Sequence, residues 1–275
     1  MKGERQKARR EMKKVFSKLI AAALILVLTF SLVGFAPANA KGKTPVLLSS
    51  ASEKEENLPP YEYHHASKDY SKTFTGKNGN RIIVQSYIDR VVLVGFQKGI
   101  KKINKTLKKM ANNFYEDYGV EGVYETAQFD VENGRDKEIY NDYVYMGVTY
   151  MGSKYISIES RLSWYAGGTG NYNSTGLTFD LKTGKTRTIT EVTGLSLDKI
   201  KEKFIMGVKD GGYFGNYYDD YSKDFMEYVD TLTAKNINYI INSNGQVAII
   251  VPFYTSPFFG GASIEIALDD VYVAE

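Results

Sequence analysis

The side chains that could support hydrolytic or metal chemistry in this 275-residue chain are few or scattered. Histidine occurs twice, at the adjacent positions His64 and His65, and cysteine is absent. A Ser-His-Asp or Cys-His device needs a base held rigidly beside a nucleophile. Adjacent histidines in an extended segment also point apart, which does not suit zinc. The sequence therefore argues against a histidine-based catalytic site and against a metal site, and we expect no cofactor.

The carboxylates offer only weak patterns. Asp219 and Asp220 suggest the paired acid and base of a glycosidase, but adjacent residues in a loop do not flank a bond as that chemistry requires. The acidic stretch 130–138 around Gly134 departs from the spacing of a calcium loop and is interpreted as a surface turn. The glycines of 167–170 lack the lysine of a phosphate-binding loop. A cell-wall hydrolase or deacetylase-related protein that uses loop carboxylates is the alternative function.

Aromatic residues between two predicted helices are the more distinctive signal. The segment 211–218 alternates glycine with large rings. Tyrosine supplies contact area at low entropic cost, which is typical of recognition loops. The other interpretation is that several of these rings pack onto the sheet as core. The aromatic residues concerned are Tyr213, Phe214, Tyr217 and Tyr218.

The first forty residues have the pattern of a secretory signal peptide. Residues 1–18 are basic, 19–35 are almost wholly apolar, and the segment closes on Pro37-Ala38-Asn39-Ala40. We predict cleavage after Ala40, with an uncleaved membrane anchor as the alternative. Either way the rest of the chain is expected to be secreted or held at the cell surface, since the basic flank stays in the cytoplasm.

Removing this segment reverses the sign of the charge. The full chain has a formal net charge of +3, but the basic excess lies in residues 1–18, and the remainder is net negative. The charge therefore gives no support to nucleic-acid binding. An exported chain without cysteine must be stabilised by its core alone. The composition is typical of a Gram-positive bacterium.

The exported part is predicted to be α+β, an antiparallel sheet with helices packed on one side. Residues 41–68 are polar and are interpreted as a disordered linker. An apolar stripe from Ile100 to Tyr118 predicts a helix whose opposite face carries six lysines, interpreted as a solvated face rather than a site for anionic polymer. Alternation predicts a hairpin of 144–150 and 155–164, with Trp164 buried.

The remaining elements complete this order without any βαβ repeat. A third strand is expected at 177–181. Two helices are expected to begin near Leu197 and near Phe225, and further strands are expected at the end of the chain. The run 247–251 does not alternate, which predicts a central strand covered on both faces. Positive φ is expected in the glycine turn after Trp164.

Three motifs resemble a bacterial extracytoplasmic family. The motifs are Tyr165-Ala166-Gly167-Gly168-Thr169-Gly170-Asn171, then Phe179-Asp180-Leu181-Lys182-Thr183-Gly184-Lys185, and later Phe253-Tyr254-Thr255-Ser256-Pro257-Phe258-Phe259-Gly260-Gly261. Together they are similar to the RsiV/PdaC-type domain, which forms the ectodomain of a lysozyme-sensing anti-sigma factor and the non-catalytic N-terminal part of a peptidoglycan deacetylase. The family's histidine in the first motif is absent here, and the chain has neither a cytoplasmic signalling domain nor a deacetylase domain.

The resemblance implies a non-catalytic, sensor-like or binding domain with two subdomains, 69–140 and 141–275. Its expected partner is a lysozyme-like protein or a cell-wall glycan such as peptidoglycan, and contact with the membrane is expected only through the N-terminal segment. The expected ligand-binding residues lie at the end of the glycine hairpin and in the aromatic loop. They are Tyr165, Gly167, Gly168, Thr169, Asn171, Tyr213, Phe214, Tyr217 and Tyr218.

Overall fold

The computed structural model describes residues 61–117, 120–211, 218–251 and 264–274. All of these belong to one compact unit, Glu55–Glu275. The predicted signal peptide, most of the predicted linker and the motif beginning at Phe253 lie outside the described residues. Within the described ranges, no helix has the length and apolar character needed to cross a membrane.

The described residues form an α+β fold. In chain order the elements are β1 (Tyr61–Asp69), β2 (Lys72–Thr75), β3 (Arg81–Gly95), α1 (Ile100–Asp117), α2 (Val120–Glu132), β4 (Glu138–Met151), β5 (Tyr155–Ala166), β6 (Thr169–Asp180), α3 (Ile189–Thr193), α4 (Leu197–Asp210), α5 (Tyr218–Thr231), β7 (Tyr239–Ile241), β8 (Gln246–Val251) and β9 (Ile264–Tyr272).

The first six strands form one sheet, called sheet 1. Its order is β1-β3-β4-β5-β6, and β2 pairs with β3 beside β1. Every pair is antiparallel except β3 with β4, which are parallel and are joined through both α1 and α2. A parallel pair requires such a crossover because the chain must return to the same end of the sheet. Strand β4 spans the boundary that we expected between residues 140 and 141.

Helices α1 and α2 cover one face of sheet 1. The predicted stripe is buried at Ile100, Ile103 and Leu107, which pack with side chains of β3, β4 and β5. Asn104 lies beside this stripe, and its amide group donates to the Leu93 carbonyl and accepts from the Leu93 amide, both at 2.8 Å. The Asn104 side chain therefore continues the backbone pairing of β3 where that strand has separated from β4. The six lysines of the opposite helix face are exposed, as expected.

The last three strands form sheet 2, in the order β7-β8-β9. One face of sheet 2 packs with α3, α4 and α5 around Phe204 and Phe225. The other face lies against β6 at Gly176, where an added Cβ would stand 1.8 Å from the Tyr239 carbonyl oxygen. Strand β8 is the middle strand, and residues 247–251 are all buried. The prediction of a central strand covered on both faces is confirmed.

Several other sequence predictions can be compared with this fold. The hairpin of β4 and β5 is confirmed, and the third strand starts at Thr169 rather than at residue 177. The linker prediction was wrong for residues 61–68, which form β1 and pair with β3. Helix α2 was not predicted, and Asp130, assigned to a surface turn, is buried at its end. Trp164 is half-buried rather than buried, since it lies at the edge of the cluster under α2.

Candidate functional site

The glycine hairpin named by the sequence is a two-residue turn between β5 and β6. Ala166 and Thr169 form the last pair of the two strands. Between them Gly167 has φ +60° and Gly168 has φ +104°, so the predicted positive φ is confirmed at both glycines. Two consecutive residues with positive φ match the twist of the flanking strands, and glycine adopts that conformation at little steric cost.

A group of polar side chains, partly buried, supports this turn. The Arg135 guanidinium donates from Nη1 to the Gly167 carbonyl at 3.0 Å. The Tyr140 hydroxyl donates to Asp130 Oδ2 at 2.5 Å, and that carboxylate lies 3.6 Å from Arg135. Burial, and then the hydrogen bond to Asp130, raise the pKa of Tyr140, so its hydroxyl keeps its proton as a donor. These contacts give the turn a structural role.

The predicted binding residues do not form one cluster. Tyr165 is 42% exposed, and the residue paired with it on β4 is Asn141. Asn171 lies opposite Trp164, on the helix-covered face of the sheet, so the structure separates Asn171 from Tyr165. The side chains of Thr169 and Tyr218 and all of Tyr213, Phe214 and Tyr217 lie outside the described residues. Asp219 and Asp220 fall in the first turn of α5 rather than in a loop, and their side chains are likewise outside the description.

The face of sheet 1 that carries no helix presents a group of tyrosines. Four of them are between 41% and 44% exposed, and a fifth, Tyr143, is partly exposed. Parallel pairing sets Tyr87 directly opposite Tyr143, and antiparallel pairing sets Asn141 opposite Tyr165. We call this group the tyrosine face; its members are Tyr63, Tyr87, Tyr143, Tyr145 and Tyr165.

Four of the five rings of the tyrosine face pack against other rings. Those of Tyr87 and Tyr143 lie 4.4 Å apart between centroids. The Tyr145 ring stacks on His65 at 5.5 Å and 12°, and His65 contacts Tyr63 edge-on at 5.9 Å. Aromatic pairs at such distances stabilise each other by about 0.5–1.5 kcal/mol beyond the area they bury. These four rings are therefore held in place before any ligand arrives.

Tyr143 is a neutral group on this surface. Partial burial, and then the neighbouring Tyr87, raise the pKa of Tyr143, so its hydroxyl stays protonated at neutral pH. The surface continues past Tyr87 to the cross-strand pair Ile83 and Ile139, which are 39% and 52% exposed. Arg161, the cross-strand neighbour of Tyr145, is paired with Glu159 at 2.7 Å. An apolar and aromatic surface with hydroxyl groups on it suits an uncharged amphipathic ligand.

His65 lies at the margin of the tyrosine face without forming a catalytic relay. Its Nδ1 lies 3.0 Å from Asp89 Oδ2. Ser67 donates its hydroxyl to the other carboxylate oxygen at 2.7 Å. The carboxylate therefore stands between the serine and the imidazole, whereas a serine nucleophile has to be in contact with the imidazole that removes its proton. Among the described residues no group of three or more His, Asp or Glu side chains is placed to hold a metal ion.

A polar row crosses the helix-covered face of sheet 1 and separates the two apolar clusters under α1 and α2. Successive pairing aligns Ser86, Asp142, Trp164 and Asn171 on neighbouring strands. Asp142 is 1% exposed, and neither of its carboxylate oxygens has a hydrogen-bond partner among the described residues. Within the same part of the chain, Ser86 Oγ and Asn171 Oδ1 also lack a partner. Burial raises the pKa of Asp142 to about 7. A carboxyl that stays protonated near neutrality avoids the cost of an unpaired buried charge.

The second motif forms a turn that docks α1. Asp180 accepts from the Thr183 amide and hydroxyl at 2.7 and 2.8 Å and from Arg187 at 2.8 Å. Burial opposes ionisation of Asp180, but these hydrogen bonds outweigh it and hold its pKa below the ordinary value. The Gly99 amide, just before α1, donates to the Leu181 carbonyl at 3.0 Å. This motif is therefore a structural element of the fold.

Sequence reasoning missed the tyrosine face because its members lie on separate strands. Alternation along β4 marks Tyr143 and Tyr145 as the face opposite Val144 and Met146. That alternation could have identified these two tyrosines as solvent-facing. The parallel pairing that adds Tyr87 is not encoded in any local pattern.

No protein-family model matches the chain, and no curated protein matches its sequence. The solved structures that are similar to it include two proteins of one family. One is a DUF3298 family protein from Pseudomonas aeruginosa PAO1, with 12% identity and a TM-score of 0.46 over 77% of this chain and 91% of that one. The other is a DUF3298 family member from Bacteroides fragilis NCTC 9343, with 12% identity and a TM-score of 0.49 over 79% of this chain and 96% of that one.

Proposed function

We propose that this chain is an exported, non-catalytic binding domain of the bacterial envelope, and that the tyrosine face is its binding surface. The observation that carries the proposal is the set of exposed tyrosine rings on the open face of sheet 1, four of which pack against other rings. Tyrosine combines an apolar ring with a hydroxyl and loses little entropy on binding, and it is enriched where proteins bind partners. The signal-peptide pattern of residues 1–40 supports export.

Cell-wall glycan is the partner that this surface fits best. A sugar ring has an apolar face of C–H groups that packs against an aromatic ring, and hydroxyls at its rim that reach polar groups. The tyrosine face offers several exposed rings on one sheet, and the charge of Arg161 beside Tyr145 is compensated by Glu159. A lysozyme-like protein, the partner that the family resemblance implies, is the other ligand to be tested. The hydrolase alternative depends on Asp219 and Asp220, whose side chains lie outside the described residues.

The test compares two substitutions on the tyrosine face with a matched control. Tyr87→Ala and Tyr165→Ala each remove one exposed ring, and Tyr272→Ala removes a ring that is 52% exposed on sheet 2. Full-length protein in mild detergent is titrated with soluble peptidoglycan fragments and, separately, with lysozyme. We expect each face variant to weaken glycan binding about tenfold or more. Tyr272→Ala should bind as the wild type does.

The result also decides between the partners. Weakened glycan binding in the face variants alone supports the proposal as stated. If lysozyme binds and glycan does not, the face variants should weaken lysozyme, and the partner is then a protein. If all three variants bind both ligands as the wild type does, the tyrosine face is not the binding surface. Melting temperatures are measured in parallel, so that loss of folding is not read as loss of binding.

A further inference from the structure

Within the described residues, the outer edge of β1 is open, whereas the opposite edge of sheet 1 is covered. On β6 the Asn238 amide group caps the edge, accepting from the Gly176 amide at 2.7 Å and donating to the Ser174 carbonyl at 2.8 Å. Further along β6, the Arg187 amide donates to the Thr178 carbonyl. Strand β1 is the terminal strand of the order, and among the described residues no strand pairs with its outer side. An uncovered edge of this length is a template for pairing with another strand.

The sequence of β1 is complementary to itself in the antiparallel direction. When two copies of β1 pair side by side over their full length, His65 at the centre of the strand lies on the two-fold axis. Glu62 then stands opposite Lys68 of the second copy. Symmetry repeats that contact at the other end of the strand. Both side chains are exposed. Shifting the register by one residue sets Glu62 opposite either Ser67 or Asp69, so the full overlap of the two strands matches opposite charges and its two neighbouring registers do not match them at Glu62.

We propose that this chain forms a two-fold symmetric dimer through antiparallel pairing of β1 with β1 of a second copy. The pairing joins the two copies of sheet 1 into one continuous sheet and satisfies the backbone groups on both open edges. Because Tyr63 is a residue of β1, the dimer also brings the tyrosine faces of the two copies next to each other. The inference concerns assembly and does not depend on which ligand the tyrosine face binds.

A charge swap tests this register directly. Glu62→Lys places lysine opposite lysine at both symmetric contacts, and Lys68→Glu places glutamate opposite glutamate. The double variant Glu62→Lys/Lys68→Glu restores opposite charges across the axis while keeping the composition of the strand. We expect the dimer Kd to rise about tenfold in each single variant and to return close to the wild-type value in the double variant. At high salt the difference between single and double variants should shrink.

The measurement is sedimentation equilibrium of full-length protein in density-matched detergent over a micromolar concentration range. Self-association that depends on the two charges and is rescued by the swap supports the proposed pairing. A monomer at all concentrations overturns it. Association that is equal in all four proteins also overturns it and places the contact elsewhere, for instance in the apolar N-terminal segment. Failure of the double variant to restore association, with its melting temperature unchanged, rejects this register.

Discussion

The buried Asp142 should make the stability of this protein fall as the pH rises towards neutrality. Burial raises the pKa of its carboxyl from an ordinary 3.8 to about 7 in the folded state. Between these two values the folded state holds a proton that the unfolded state has lost, so the free energy of unfolding decreases with pH. The decrease sums to about 4 kcal/mol at most, at 1.36 kcal/mol per unit of pKa difference, and it ends above pH 7.

Replacing Asp142 by Asn removes the titration while keeping the shape of the side chain. The amide is neutral at every pH, so the variant should lose the part of the pH slope that Asp142 contributes. The protonated carboxyl of the wild type and the amide of the variant both lack a partner among the described residues, so the cost of an unpaired polar group is common to the two proteins. We therefore expect Asp142→Asn to be about as stable as the wild type near pH 4 and more stable at pH 8.

The assay is urea unfolding of wild type, Asp142→Asn and Asp269→Asn at pH values from 4 to 8. Asp269 is an exposed carboxylate on β9, so its replacement controls for the loss of one acidic group. The difference between wild type and Asp142→Asn as a function of pH isolates Asp142 from the other titrating groups. If that difference is constant from pH 4 to pH 8, Asp142 does not hold a proton in the folded state, and the inferred unpaired buried carboxyl is wrong.

Two further predictions concern the supports of sheet 1. Gly167→Ala should lower the free energy of unfolding by about 3 kcal/mol or more, because a Cβ there would lie 2.4 Å from the Tyr140 hydroxyl. Gly168→Ala should lower it by about 1 kcal/mol, since a Cβ at Gly168 meets no atom and only the positive φ opposes it. Equal losses in thermal unfolding would contradict this. Asn104→Ala should cost about 2–4 kcal/mol, since it leaves the amide and carbonyl of Leu93 without their partner; a change below about 0.5 kcal/mol in chemical denaturation would mean that water replaces the side chain.

How far the sequence predicted this fold depends on how each element is stabilised. Helix α1 and strand β8 were identified because burial shapes their sequences, as a helical stripe in one and an unbroken apolar run in the other. Strand β1 was missed because it is polar and held by backbone pairing to β3, which leaves no hydrophobic alternation. Helix α2 has a weak signal, since its buried positions include the small Ala127 and lie four residues apart.

The turn motifs and the proposed binding surface differ in how strongly folding requires their residues. The glycine turn and the Asp180 turn are recognisable in sequence because backbone geometry demands particular residues there, and both prove to be supports of the fold. A substitution in such a turn acts through the whole sheet, so Gly167→Ala should change stability and binding together. A solvent-facing ring such as Tyr87 meets no comparable demand, because any residue of suitable polarity allows the strand to form. Loss of binding without loss of stability is therefore the mark of a functional residue in this protein, and it is to be sought on the tyrosine face.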